Sequence, residues 1–292
     1  QVFADVQKAV NPAERVYYPV ADNKEPIVAI GTDKEVDDPS IEVYFKQDAT
    51  PDSEKNNVGY LASQYMTSMI TSMLNARLSE LTQSANPPFN RAYSSYGNFF
   101  VAKTKEALNL SASSKANGIE EALKVLLQEA ERARRFGFTE SEYARARANY
   151  LQRLESAYNE REKTKHGSYV REYVRNFLDA EPIPGIETEY AMMNQLAPNL
   201  PVQAINMAIQ QLVPDSNQVV IIAGPEKEGL KYPQKEEVIA LLKGMKSLDL
   251  QPYVDKVSDE PLMKEAPKGG KIVSEKEGEI YGSTKLVLSN GV

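Results

Sequence analysis

The chain has 292 residues, a net charge of −7 and no cysteine. The acidic balance argues against a nucleic-acid-binding protein, which needs a basic surface, and the lack of thiols excludes disulfides, thiolate metal sites and a cysteine nucleophile. No apolar run reaches the roughly 18 residues of a membrane-spanning helix, so we expect no membrane span.

The first 113 residues carry strand signals on both sides of one helix signal. An apolar run at 27–30, flanked by prolines and charges, indicates a linker or an edge strand. Apolar and polar side chains alternate over 40–47, as in a half-buried strand. Apolar residues recur every three or four positions from 58 to 81, which predicts a long helix. Residues 91–113 have strand character, with a turn or bulge predicted at Gly97-Asn98.

The clearest local signal is a helix start near the middle of the chain. Thr139 and Glu142 have the spacing of a capping box, in which each side chain binds a free backbone amide of the first turn. Phe138 and Tyr143 occupy the positions of a hydrophobic staple. We therefore expect a helix over 139–163.

The remaining elements are mostly helices. Periodicity predicts helices over 118–136, 169–177, 201–212 and 234–245, and a buried strand over 217–223. In total about six helices and four or five strands are expected. Because most strands come early and most helices late, the pattern favours an α+β fold over a doubly wound sheet.

The last forty residues have a different composition. Prolines and glycines from 251 onward indicate an interdomain linker. Residues 284–288 have strand character, and Asn290-Gly291 is a strong hairpin signal. Only Val292 follows, so the returning strand is missing and we expect a longer parent protein. The alternative is a frayed terminus that happens to contain Asn-Gly.

Residue chemistry gives no catalytic constellation. The histidine zinc motifs of hydrolases need two histidines, and this chain has one, His166. A lone histidine beside Gly167 at a helix start is more often a solvent-facing or capping residue. Arginines between 132 and 175 alternate with glutamates, which favours exposed ion-pair faces over a polyanion site. We predict no catalytic residue and no metal ligand.

Several segments taken together nevertheless resemble the pitrilysin/insulinase family of zinc peptidases. Residues 74–81 are similar to the end of the first long helix of that family's non-catalytic domain. Residues 137–146 resemble its Gly-x-Thr-x-x-Glu helix start, and 217–225 resemble its last strand. Residues 284–291 resemble the opening hairpin of the next homologous domain. The resemblance covers about 38–250 and the tail.

This resemblance implies a fold and a place in a larger protein. The fold is α+β, a mainly antiparallel sheet packed on one face by helices. Family members consist of two halves, each made of two related domains, that close around an unfolded peptide. This chain resembles the non-catalytic second domain, with 1–37 as the preceding linker, 38–250 as the domain, and 251–292 as a linker plus the first strand of the next domain.

The resemblance also implies partners and a compartment. Zinc belongs to the parent's catalytic domain, which has no counterpart here, so this chain alone should bind no zinc and cleave no peptide. The expected partners are that catalytic zinc domain and a peptide substrate, and the expected location is the periplasm or cell envelope of a bacterium. The alternative is a catalytically inactive binding or scaffold subunit of the same fold.

One residue is a candidate for substrate binding. In the family's last domain an arginine and a tyrosine seven residues later contact substrate. Arg77 matches that arginine, but Ser84 stands at the tyrosine position. The resemblance therefore implies two readings of Arg77, a substrate contact and a structural ion pair at the helix end, and the departure at Ser84 favours the second.

Overall fold

The computed structural model describes residues 4–14, 16–256, 263, 265 and 269–291. Contacts divide the chain into two compact units, one ending at Asp255 and the other beginning at Lys256. Each unit is built from its own elements.

The first unit contains a five-stranded sheet. Its strands are β1 (Ile27–Asp33), β2 (Ser40–Asp48), β3 (Arg91–Asn98), β4 (Lys105–Ser113) and β5 (Gln218–Pro225). They lie in the order β1-β5-β2-β4-β3. Only β1 runs parallel to its neighbour; the other pairs are antiparallel. The mainly antiparallel α+β fold is thereby confirmed, and the segment predicted as a linker or an edge strand is an edge strand.

Seven helices accompany this sheet in the described part of the chain. They are α1 (Val58–Thr82), α2 (Ile119–Phe136), α3 (Glu140–Asn159), α4 (His166–Asp179), α5 (Ile186–Asn199), α6 (Val202–Leu212) and α7 (Lys235–Gly244). Three short 3-10 turns lie at Asp52–Glu54, Arg161–Lys163 and Met245–Ser247.

One face of the sheet forms the core with the helices. Alternate β2 side chains such as Val43 point into it, opposite Leu110 of β4. The fully buried Met69 and Leu74 of α1 belong to the same cluster. Tyr44, next to Val43, lies on the other face of the sheet and outside this cluster. The alternation of apolar and polar residues along β2 therefore corresponds to the two faces of the sheet, one in the core and one outside it.

Two predictions about the first unit need correction. The turn was expected at Gly97-Asn98, but β3 continues through both residues, because Gly97 pairs with Ala107, and the chain reverses at 99–104. Helix α5 was not predicted. Its sequence has little amphipathic periodicity and contains Pro198, so local signals do not predict a helix there. Burial of Met193 in the tertiary structure stabilises the helix instead.

The second unit is a hairpin of β6 (Ile272–Glu277) and β7 (Thr284–Leu288). Strand β7 pairs with β6, which precedes it in the chain and was not predicted from the sequence. A strand that returns after Asn290-Gly291 in a longer parent remains a prediction. Strand β6 was missed because its residues are mostly polar and follow a stretch rich in proline and glycine. Pro261 and Pro267, which supported the linker prediction, lie outside the described residues. The proposed domain boundaries remain predictions.

Candidate functional site around Arg77

Arg77 lies near the C-terminal end of α1 and is almost completely buried, with 2 % exposure. Its Nε donates to Glu142 Oε1 at 2.7 Å, and its Nη2 donates to Glu142 Oε2 at 2.9 Å. Nη2 also donates to the carbonyl oxygen of Gly137 at 3.0 Å. The ion pair favoured by the sequence is present, in the two-pronged geometry that suits a guanidinium and a carboxylate.

Glu142 is held in place because it also completes the start of α3. Thr139 Oγ1 accepts from the Glu142 backbone N–H at 3.2 Å, while the Thr139 N–H donates to Glu142 Oε2 at 2.8 Å. The predicted capping box is therefore confirmed. One carboxylate thus joins the end of α1 to the start of α3.

Two aromatic rings contact the guanidinium. Arg77 Cζ lies 4.8 Å from the ring centre of Phe138 and 4.3 Å from that of Tyr253. The Tyr253 hydroxyl donates to Glu80 on α1, with oxygen–oxygen distances of 2.8 and 2.9 Å. Burial and then this acidic partner raise the pKa of Tyr253 well above its ordinary value. Arg77 is thus covered by Tyr253, a residue from the last part of the first unit.

Asp255 fixes the same segment a second time. Arg145 Nη1 and Nη2 donate to its two carboxylate oxygens at 2.8 and 3.0 Å, and Ser141 Oγ also hydrogen-bonds to it. These hydrogen bonds, led by that of Arg145, lower the pKa of Asp255 below its usual value. Residues 251–255, predicted as linker, are therefore anchored across the junction of α1 and α3.

This geometry limits what Arg77 can do. With Glu142 below it and Tyr253 against it, the guanidinium offers little surface, although its Nη1 has no hydrogen-bond partner among the described residues. Ser84, at the position of the family tyrosine, donates to the carbonyl oxygen of Leu81 in its own helix end. A substrate contact by Arg77 remains a prediction, and it would require Tyr253 to move away.

The described residues contain no group of three or more histidine, cysteine, aspartate or glutamate side chains placed to hold a metal ion. His166 is the first residue of α4 and is exposed. Within the same described ranges, no helix has the length and apolar character needed to cross a membrane.

Comparisons with known proteins agree with this architecture. A zinc protease PQQL-like protein from Arabidopsis thaliana is 24% identical over 291 residues, which is 99% of this chain and 27% of that protein. The structure of the periplasmic protease PqqL from Escherichia coli matches with a TM-score of 0.76 and 20% identity, over 96% of this chain and 31% of PqqL. The ferredoxin protease FusC, solved in complex with Arabidopsis ferredoxin, matches with a TM-score of 0.65 and 15% identity, over 97% of this chain and 31% of FusC.

These structural matches establish a shared fold, and the chain spans only about a quarter to a third of the length of these relatives. The model of the peptidase M16 inactive domain matches residues 1–150, about half of the chain. The Gly-x-Thr-x-x-Glu helix start, whose glutamate holds Arg77, lies within that matched half. The chain therefore belongs to the family of peptidase M16 inactive domains, the non-catalytic domains of insulinase-type proteases.

Proposed function

We propose that this chain is the non-catalytic domain of a larger zinc peptidase and forms part of the wall of a chamber that encloses unstructured peptides. The observation that carries the proposal is membership of the M16 inactive-domain family in a chain that spans 27% of a zinc protease-like relative. The zinc would be held by the parent's catalytic domain, since this chain has a single histidine.

Such a domain acts by shape. A closed chamber excludes folded proteins that are too large to enter, and it therefore selects unstructured peptides. Enclosure also keeps bulk water away from the reacting bond. The proposed partners of this domain are therefore the catalytic zinc domain of the parent chain and the peptide substrate. By analogy with the E. coli protein whose name places it in the periplasm, we propose a periplasmic or cell-envelope location for the parent.

Metal analysis and peptide cleavage test the proposal directly. The purified 292-residue chain, exposed to zinc and then desalted, should retain no stoichiometric zinc and cleave no fluorogenic peptide. The parent chain should hold about one zinc ion in its catalytic domain and should lose cleavage when a chelator removes that ion. One tightly held zinc ion in the 292-residue chain would overturn the proposal.

A parent that holds no zinc would support the alternative function. In that case the chain would be a catalytically inactive binding or scaffold subunit, because the same fold can serve without chemistry. The parent coding sequence separates the two functions: a His-x-x-Glu-His segment upstream supports the peptidase, and its absence supports the scaffold.

A further inference from the structure

Helix α4 differs from the other helices in the exposure of its side chains to solvent. Among the seven helices described, it alone buries none of its residues. Its apolar side chains nevertheless form one stripe, with spacing that places them on a single face. The stripe consists of Tyr169, Val170, Tyr173, Val174 and Phe177. Exposure reaches 59% at Tyr173 and 79% at Phe177.

A helix of this length is not expected to persist in water by itself. Isolated helices shorter than about 12–15 residues are marginal, and most helical stability in proteins comes from packing an apolar face. Polar contacts hold the C-terminal end of α4: Lys55 Nζ donates to the Asp179 carbonyl oxygen at 2.6 Å, and Lys103 pairs with the Asp179 carboxylate. These contacts fix the position of the helix but leave its stripe facing solvent. The stripe therefore needs a lasting partner.

A mostly polar cleft of about 210 Å³ lies beyond the end of α4, where Asp52, Lys103 and Glu106 line it together with Tyr17 and Leu178. Tyr17 and Lys103 also line a second cavity of about 390 Å³, together with Phe99, Phe100 and Val101 of the β3–β4 turn. We name the stripe of α4, residues 16–20 and residues 99–103 together the α4 surface.

The β3–β4 turn exposes apolar side chains and contains one residue, Phe100, in an unfavourable backbone conformation. Phe100 has a φ of 53°, in the left-handed region that a bulky side chain rarely adopts. The next residue, Val101, is 94% exposed. Strained backbone of this kind tends to persist where it serves an interaction. Within this chain the Phe100 ring already contacts Phe99 and Tyr44, so the part of the turn that is open to a partner is chiefly Val101.

The path of the chain indicates what covers it. The N-terminal segment joins the first unit at this end, where the Val20 N–H donates to Thr104 Oγ1 at 3.2 Å and the Asn23 N–H donates to Asn217 Oδ1 at 2.8 Å. A domain tethered ahead of residue 16 would be held beside the α4 surface at a high effective concentration. The matched relatives are about three times as long as this chain or longer, which leaves room for such a domain.

We propose that the α4 surface is the docking face for the domain that precedes this one in the parent chain. The inference rests on the proposed function, under which that domain carries the zinc. A peptide substrate would cover the stripe only during turnover, whereas α4 needs a permanent cover. Arg171 and Arg175 are exposed on the same helix, so the docking partner should present an apolar face with acidic residues at its rim.

Hydrogen exchange of the 292-residue chain and of its parent tests this docking face. Backbone amides of α4 should exchange rapidly in the 292-residue chain and at least about 100-fold more slowly in the parent. The double substitution Tyr173→Asp with Phe177→Asp should restore rapid exchange in the parent without changing the stability of the 292-residue chain. Met207→Asp is the matched control, because Met207 is apolar, 62% exposed and on α6; it should leave α4 protected.

Equally rapid exchange of α4 in both proteins would overturn the inference. Protection that arises only after peptides from a digest of denatured casein are added would also overturn it, in favour of a substrate surface. A concentration-dependent dimer of the 292-residue chain, abolished by the double substitution in sedimentation velocity, would replace the preceding domain by a second copy. A zinc-free parent with protected α4 would refute the proposed function alone, and an active zinc parent with unprotected α4 would refute the docking face alone.

Discussion

Arg77 and Glu142 form a charged pair from which water is nearly excluded, with side chains 2% and 4% exposed. Breaking such a pair on one side leaves an uncompensated charge in a low-dielectric interior. Glu142 also completes the helix start through Thr139, so its carboxylate has two structural tasks. These contacts make stability, rather than substrate affinity, the first property that a substitution at Arg77 should change.

Arg77→Ala should lower the free energy of unfolding by about 3–5 kcal/mol, because it leaves the buried Glu142 carboxylate without its positively charged partner. Urea denaturation of the 292-residue chain measures this change. The double variant with Glu142→Gln should lose less than the sum of the two single losses. The exposed Arg91→Ala is the control and should cost less than about 0.5 kcal/mol. Unchanged stability of Arg77→Ala, with weaker peptide binding by the parent, would instead support the substrate-contact prediction.

Gly137 occupies a backbone conformation that only glycine adopts readily. Its φ is 72° and its ψ is −160°, and an added Cβ would lie 2.4 Å from Asn206 Cγ. The Asn206 side chain cannot easily yield, because it accepts from the Phe138 N–H at 2.8 Å and donates to the Phe138 carbonyl oxygen. The connection between α2 and α3 therefore has no room for a side chain at this position.

Gly137→Ala should cost about 2 kcal/mol of folding stability or more, from the backbone conformation and the contact with Asn206 together. Gly167→Ala is the matched control, since a Cβ there meets nothing within 4 Å and the residue lies in α4. Thermal denaturation of both variants provides the comparison. An equal effect of the two substitutions would contradict this account of Gly137.

At the scale of elements, the segment 251–255 belongs to the first compact unit. Tyr253 packs against Arg77, and Asp255 binds Arg145 through both carboxylate oxygens. The segment is thus held against the α1–α3 junction. Its composition predicts a linker because the contacts that order it come from residues more than a hundred positions away.

The Asp255 contact should depend on pH in a defined direction. Because the pKa of Asp255 is lowered in the folded state, the contact stabilises the protein above the unfolded pKa of about 3.9 and is lost as the pH falls through the folded pKa. An NMR titration of the Asp255 carboxyl should give a midpoint below about 3.9 that rises in Arg145→Ala. Arg153→Ala, an exposed change on the same helix, should leave the midpoint in place. An unchanged midpoint in Arg145→Ala would rule out this pairing in solution.

At the scale of the whole molecule, the two units differ in the interactions that stabilise them. The first has a core shared by sheet and helices, whereas the second, as far as it is described, is a two-stranded hairpin. A lone hairpin is marginally stable in water. Folding stability should therefore reside in the first unit.

Removal of residues 256–292 should change the free energy of unfolding by less than about 0.5 kcal/mol, as measured by urea denaturation. Removal of residues 251–292 is the control, since it also deletes Tyr253 and Asp255. That shorter chain should be less stable by about 1–3 kcal/mol, because a charged hydrogen-bonded pair and an aromatic contact with Arg77 are lost. Equal stability of the two truncated chains would show that the anchoring of 251–255 contributes nothing.

The sequence by itself determined the periodic helices and the α3 capping box, because these follow from side-chain spacing within a few residues, and it determined the α+β class through the order of those elements along the chain. An ion pair of Arg77 at the helix end was expected, but its partner Glu142, its burial and its cover by Tyr253 were decided only by the tertiary structure. Helix α5 and the partner of β7 also escaped local signals. Each depends on contacts between segments distant in sequence, and the free energy of such contacts leaves little trace in the spacing of neighbouring residues.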